Sequence, residues 1–482
     1  MVETFLFDAD DTLKWTIWDA DIDNSRRRQA VAFLLGLGAD PDQENQDGRK
    51  LDDSPNATIG VTYWLERARI HKRMKKDRLK EIGDKMPFPR LHYLPSIEYW
   101  LVGQRPATYA VHLAMACWAK DQSEGGAKRP LVLMLCGPSG HGKTEMGQRL
   151  AAVFGEGSDL LKVSCEQFST KTELFGAAGA YQGAKEGSKL NNFIAQHHKK
   201  FGVVLLDEFE KIGERSAHEA LLNVFDRGEW HDKQLKSGRS QTEAVDCSKL
   251  VFILTTNMLD DIVMKIGNDN PTIARADKET LDQVLHATRR ETRRRISERF
   301  STPFSGRLNA GANSVVPFFP FADSTNKNDP VIMKESDVLC DNFIEDELAR
   351  LASKGNINAN MPKKTRADVI DLARLDYVAD EGFRSIQGRV NELVTQQFHK
   401  SCYFDEIDSK AHLYLDKTRM TSKAIPDDLD DDCHTNSLVG VAAPEDVAHK
   451  VCQGTEQRED DRDRDSDSDS GEMADYRSGC SV

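Results

Sequence analysis

The sequence predicts an α/β fold, a parallel sheet flanked by helices and followed by a small, mostly helical domain. Three observations predict it. The apolar runs at 131–135, 203–206 and 250–254 are short and uninterrupted, as strands buried on both faces of a parallel sheet must be. Helical stretches alternate with these runs, which is the βα pattern of such a sheet. The first run leads directly into Gly137-Pro138-Ser139-Gly140-His141-Gly142-Lys143-Thr144 and then a helical pattern. Strand, glycine-rich loop and helix therefore stand in the order that a nucleotide-binding α/β unit requires.

Each residue type in that loop has a physical use. Glycines let backbone N–H groups turn inward without a clashing Cβ, and the helix that starts there adds the positive end of its dipole. The loop is a full match to GxxxxGK[ST], in which Lys143 reaches the β- and γ-phosphates of ATP and the Thr144 hydroxyl ligates Mg2+. Gly137, Pro138, Ser139, Gly140, His141, Gly142, Lys143 and Thr144 are thus the expected nucleotide contacts. The second run ends in Asp207-Glu208. Asp207 is placed to hold Mg2+, directly or through water, and Glu208 to orient and polarise the attacking water. The third run ends at Asn257, a polar group able to hydrogen-bond that water or the γ-phosphate. A strand-terminating turn is the plainer use of the same asparagine.

At 482 residues the chain has room for about three domains of roughly 150 residues each. Four regions are expected. Residues 1–90 are polar and irregular or helical, 91–335 form the α/β domain, 336–422 the small helical domain, and 423–482 a disordered acidic tail. Of the net charge of −14, the residues from Asp427 onward supply −12, with 17 acids against 5 bases. A solvated tail thus dominates the charge, which says nothing about nucleic acid. The nine cysteines lie far apart with no CxxC, as in a reducing compartment. The opening MVETFLFDADDTL carries acids where an organellar leader carries Arg or Lys, and no apolar run approaches the roughly 18 residues of a membrane span. A soluble, cytoplasmic protein without membrane or nucleic-acid partners is expected.

Two signals mark the first region. FLFDADDTL resembles the nucleophile strand of haloacid-dehalogenase phosphatases, but that fold needs a further sheet and a distant Lys and Asp, and other motifs occupy the downstream chain. Residues 30–49 resemble the end of one ankyrin repeat and the start of the next, so a degenerate ankyrin-like or helical adaptor is expected. The basic stretch 66–80 reads as a solvated linker helix.

From Ser96 to Tyr414 the sequence resembles the AAA+ ATPases of the Clp/ClpB branch. The stretch ELFGAAGAYQGAKEGSKL is similar to that family's pore loop. It places Tyr181, between Gly179 and Gly183, on the aromatic that grips an extended polypeptide in the ring's channel. Val102-Gly103-Gln104 resembles the box that packs near adenine. FSGRLNA resembles the segment carrying the arginine finger, which implies Arg307 in that role and a ring in which it reaches the neighbouring subunit's nucleotide. The alternatives Arg293, Arg294, Arg295 and Arg299 read as a helical surface cluster. GFRSIQGRV resembles the motif of the small domain, which acts as a lid over the nucleotide, and implies Arg384 as its sensor arginine.

Departures from the family pattern are Phe383 and Ser385 beside Arg384, Asn309 after Arg307-Leu308, and Ala184 in place of a second pore aromatic. Ile266-Gly267-Asn268 has a polar third residue where relatives dock a ClpP-like peptidase, so no such docking is expected. The resemblance implies a homo-hexameric ATP-hydrolysing chaperone that unfolds or disaggregates polypeptide. A nucleotide-controlled switch with slow hydrolysis is the alternative.

Overall fold

The computed structural model describes residues 9–19, 24–45, 47–70, 96–99, 101–123, 128–153, 159–168, 170–176, 187–231, 244–321, 335–355, 359–361, 363–378, 381–404 and 413–414. Gly179, Tyr181, Gly183 and Ala184, which the resemblance assigns to a pore loop, the FLFD segment, residues 71–95 and the acidic tail lie outside them.

Helices α1 (Ala9–Trp18), α2 (Asn24–Gly36) and α3 (Ile59–Ile70) form an N-terminal unit. In α3 the buried Val61, Trp64, Leu65 and Ala68 follow the i, i+3, i+4, i+7 spacing of one helix face. They meet Leu13 and Ile17 of α1 and Val31 and Leu35 of α2. Burying such a side chain fully contributes about 1.5–3 kcal/mol. Between α2 and α3 the chain turns at Asn45, whose Oδ1 accepts from the Asp47 and Arg49 amides at 2.9 Å each. The described part of this segment is thus helical, one of the two forms expected, and it has an apolar core. One of its basic residues differs from expectation. Arg67 is buried, whereas Arg69 is exposed and pairs with Asp42 at 2.7 Å and with Asp52, and residues 71–80 lie outside the described residues.

The α/β part follows as α4 (Arg105–Ser123), β1 (Leu131–Cys136), α5 (Lys143–Val153), β2 (Asp159–Ser164), α6 (Lys171–Phe175), α7 (Lys189–Gln196) and β3 (Gly202–Asp207). Then come α8 (Arg215–Ala220), α9 (Leu222–Arg227), the antiparallel pair β4 (Glu229–Trp230) and β5 (Val245–Asp246), β6 (Leu250–Thr256), α10 (Asp260–Asp269), α11 (Lys278–Arg299), α12 (Thr302–Leu308) and β7 (Ser314–Pro317). Among the described residues the large sheet has five strands in the order β2-β3-β6-β1-β7, with every neighbouring pair parallel. Alternate residues explain the two cores. Met134, Leu206 and Phe252 face one layer with Phe225 and Phe304, while Leu133, Leu205 and Ile253 face the other with Ala110, Ala114 and Met115 of α4. The register aligns Cys136 with Thr256, Leu206 with Leu254 and Ser164 with Asp207. The three sequence-predicted strands therefore end together, and ligands bind at that carboxyl edge in open α/β sheets.

The helical domain comprises α13 (Glu335–Gly355), α14 (Lys363–Arg374) and α15 (Phe383–Phe404), with a short parallel pair, β8 (Ala359–Asn360) and β9 (Leu413–Tyr414). Ile344, Leu348, Val369, Ile370, Ile386 and Val390 form its core. Helix α13 serves two cores, because Val338 packs with the N-terminal unit and Cys340 with the helical domain. Val338 of α13 thus completes the apolar cluster of the N-terminal unit. No helix among the described residues is long and apolar enough to cross a membrane.

His218 is fully buried, with ring centroids 4.8 Å from both Phe209 and Phe300, and its Nε2–H donates to the Phe209 carbonyl at 3.2 Å. Burial pushes its pKa down to about 4, so the ring is neutral in the folded protein at pH 7. In the unfolded chain an ordinary histidine binds a proton near pH 6.5. The unfolded state therefore gains protons first as pH falls. Stability is full above about pH 6.5 and declines toward pH 4, by an amount on the order of 3 kcal/mol for this residue. Denaturant unfolding at pH 7 and pH 5 should show a smaller loss in His218→Gln than in the parent. Equal losses would assign the acid sensitivity to other groups.

Candidate functional site

The loop between β1 and α5 curls over its own lysine. Lys143 Nζ donates to the carbonyls of Gly137 and Pro138, the latter at 2.9 Å, and to Asn257 Oδ1 at 2.8 Å. Burial pulls this ammonium below the ordinary lysine range, while Asp260, Glu210 and Asp207 oppose the shift. Lys143 is held as a buried cation whose present acceptors are weak dipoles, so the cradle suits an anion. Positive-φ glycines at 137, 140 and 142 form the concave loop.

At the end of β3, Asp207 Oδ1 accepts from Thr255 Oγ1 at 2.6 Å and from Thr144 Oγ1 at 3.3 Å. Its other oxygen lies 3.6 Å from Lys162 Nζ. A hydroxyl and a carboxylate converging below the phosphate cradle fit Mg2+, a hard cation that takes oxygen ligands and keeps several waters. Glu208 adopts φ 56° and ψ 50°, a left-handed conformation that costs a non-glycine residue on the order of 1–3 kcal/mol. Its amide donates to Thr255 Oγ1 at 2.9 Å, which fixes the turn, and its carboxylate meets Lys211 at 3.1 Å. Strain of this kind persists where surrounding contacts over-determine it.

The sequence missed four residues here. Thr255 ties the Asp207 and Glu208 segments together and lies two residues before Asn257. Glu210 accepts from the Asn257 amide through Oε1 at 2.9 Å, and its Oε2 is buried with no hydrogen-bond partner. Lys162 and Lys211 carry positive charge to the acids, and only the EFEK spacing hints at Lys211.

Val102 is buried with Trp64, Tyr99 and Val338. His141 stacks on Phe321 at 5.3 Å and 18°, and its Nδ1–H donates to the Ser139 carbonyl at 2.7 Å. Burial pushes its pKa down to about 4, which adds no positive charge beside Lys143. The helical domain closes on the loop at Gly140. A Cβ there would strike the Glu381 carbonyl, and the Phe383 amide donates to the Gly140 carbonyl at 3.3 Å. Arg384, the second residue of α15, is exposed.

Arg307 is not at the loop. Its guanidinium pairs with Asp226 at 3.1 Å and donates to the Pro303 carbonyl at 3.1 Å. Of the competing arginines, Arg294 and Arg295 pair with Glu298 and Asp261 on the surface, as expected. Arg299 differs, since it donates to the carbonyls of Glu210 and Ile212 and so braces the turn after Glu208. Residues 266–268 lie within α10, with Gly267 packed against Pro320.

Residues 128–310 match the family model described as AAA domain (Cdc48 subfamily). The chain is similar to the mitochondrial disaggregase of Rattus norvegicus, 26% identical over 387 residues, covering 76% of this chain and 52% of the relative. It is also similar to the chaperone protein ClpB of Aquifex aeolicus (27% over 272 residues, 55% and 24% of the two chains) and to that of Chlamydia caviae (30% over 234 residues, 47% and 24%). The chain thus spans about half the length of the first relative and a quarter of the other two. Among solved structures, an S. cerevisiae Hsp104:casein complex in an extended conformation aligns over 81% of this chain and 62% of that one, at 19% identity and a TM-score of 0.49.

Proposed function

Because this chain carries an ATP-binding AAA+ domain of the ClpB branch, we propose that it is an ATP-hydrolysing chaperone that threads misfolded or aggregated polypeptide through a homo-hexameric pore. The observation that carries the reading is the single cluster formed by Lys143–Asn257 and Thr144–Asp207–Thr255, with the helical domain resting on Gly140. Lys143 holds the phosphate tail and Thr144 with Asp207 holds Mg2+. The metal supplies charge neutralisation at the transferring phosphoryl group. Glu208 leaves Lys211 to orient water, and Asn257 fixes the γ-phosphate side of the site. Arg307 leaves Asp226 and reaches the next subunit's nucleotide, which is why the activity needs a ring. Arg384 reads the nucleotide from the lid, whose contact at Gly140 carries the change onward.

Tyr181, flanked by Gly179 and Gly183, grips substrate in this reading, because an aromatic face contacts any passing chain without demanding a sequence. The names of the relatives, chaperone and disaggregase, support a polypeptide substrate. Residues 1–90 form an adaptor, 91–335 and 336–422 the two parts of the ATPase, and 423–482 a tail. Free cysteines at Cys117, Cys136, Cys165, Cys247 and Cys340 fit a reducing compartment, and the cytoplasm is the proposed one. The matrix, suggested by the relatives named mitochondrial, is the other outcome of a fractionation experiment.

Reactivation of heat-aggregated luciferase tests the function. Recovery that requires hydrolysable ATP supports threading. Steady hydrolysis without recovery sinks it in favour of a nucleotide-controlled switch.

A further inference from the structure

Tyr63 lies on α3, outside the AAA domain, yet its hydroxyl sits where three segments meet. It accepts from Arg67 Nη1 at 3.0 Å and from the Gly103 amide at 3.4 Å, and it donates to Oε1 of Glu335, the first residue of α13, at 3.4 Å. One donor and two lone pairs are all that a phenol offers, and all are used. The side chain is buried, and its ring meets Trp64 edge-on at 4.9 Å. Burial pushes the hydroxyl up to about 12, so it remains a donor at neutral pH.

The segments it joins lead to the cradle. Gly103 holds φ 71°, and a Cβ there would overlap the Phe321 ring and stand 3.0 Å from Glu335 Oε2. Phe321 stacks on His141 of the loop and meets Phe383 of α15 edge-on at 4.3 Å and 88°. A continuous set of contacts thus runs from α3 through the Val102-Gly103 turn to both the phosphate loop and the lid.

We propose that Tyr63 is a positioning residue for the nucleotide, through which the N-terminal unit sets ATP affinity by pinning the Val102-Gly103 turn to the start of the lid. The inference rests on the reading of this cleft as the ATP site. A turn and a lid held together before binding leave less to be ordered when ATP arrives, and that saving appears in affinity. It does not change the groups that act on the γ-phosphate, so KM moves and kcat does not.

Three proteins test it, the parent, Tyr63→Phe and the double variant Tyr63→Phe/Arg67→Met, each assayed for binding of a fluorescent ATP analogue, for ATP turnover and for thermal stability. Tyr63→Phe should raise Kd and KM about tenfold, the effect of losing the two of its three hydrogen bonds that join Gly103 to Glu335, with kcat within about twofold. It should also lose stability, because the buried Arg67 is left without its acceptor. The double variant removes that stranded charge, so stability returns while KM stays high. If KM recovers together with stability, the hydroxyl is merely structural and the inference falls. An unchanged KM in a folded Tyr63→Phe protein overturns it as well. Should Tyr63→Phe not fold, Glu335→Leu breaks the same junction from the lid side and must raise KM likewise, or the inference is lost. Failure of the parent to bind the analogue would instead remove the reading of the ATP site itself, and this inference with it.

Discussion

Glu208→Gln should lower ATP turnover by about 10²–10⁴-fold, the range for loss of a positioned general base, while ATP binding stays near that of the parent. The two effects separate because Glu208 takes no part in the cradle. The Lys143 contacts run to Gly137, Pro138 and Asn257, and Asp207 is held by Thr144 and Thr255. Glutamine keeps the size and a hydrogen-bonding oxygen but cannot take a proton from water. The left-handed backbone at 208 exists in either protein, since the Glu208 amide bond to Thr255 does not involve the side chain. Filter-binding of labelled ATP beside a phosphate-release assay reads both quantities. Turnover within tenfold of the parent would move the base elsewhere, with Glu210 the first candidate because its Oε2 is buried without a partner.

The second large effect is on stability. Arg366→Met should destabilise the lid by roughly 3–5 kcal/mol, the cost of breaking a buried charge group by removing one member. Arg366 is well shielded and lies against both Asp341, at 2.7 Å, and Glu345. The Asp341 side chain is 1% exposed, so its charge cannot be rescued by water once the guanidinium is gone. Glu345 also accepts from Asn24 of the N-terminal unit at 3.1 Å, so the unit's grip on α13 should loosen too. Hydrogen exchange of the lid helices, with denaturant unfolding beside it, measures both consequences. A loss below about 1 kcal/mol would mean the three charges are solvated like an ordinary surface pair.

The clustering of much of the candidate site was legible in the sequence because its signals are local. A buried parallel strand announces itself as an unbroken apolar run, and the residues at strand ends follow by counting. Cys136, Asp207 and Thr256 come together because three such runs pair in the register that a parallel sheet imposes. Thr255 escaped notice because a threonine inside a strand looks like a β-former, and only the pairing reveals the carboxylate beside it. The N-terminal unit was not legible for a different reason. Its covering partner is α13, and contacts such as Tyr63–Glu335 or Arg28–Asp346 span hundreds of residues and leave no periodic trace. Arg67 read as solvated because its acceptor is a phenol four residues back and the acid beyond that phenol, Glu335, is remote in sequence. Arg307 shows the limit of motif reading in another way. Its segment resembles the family's, but its partner within one chain is Asp226, and the proposed role at a neighbour's nucleotide has no counterpart in a single chain.

The measurement that tests threading most directly is ATP hydrolysis with and without unfolded casein, in the parent and in Tyr181→Ala. Casein should accelerate the parent, and Tyr181→Ala should keep the basal rate but lose the acceleration. Hydrolysis indifferent both to casein and to Tyr181 would contradict it, and the protein would then be a nucleotide-controlled switch.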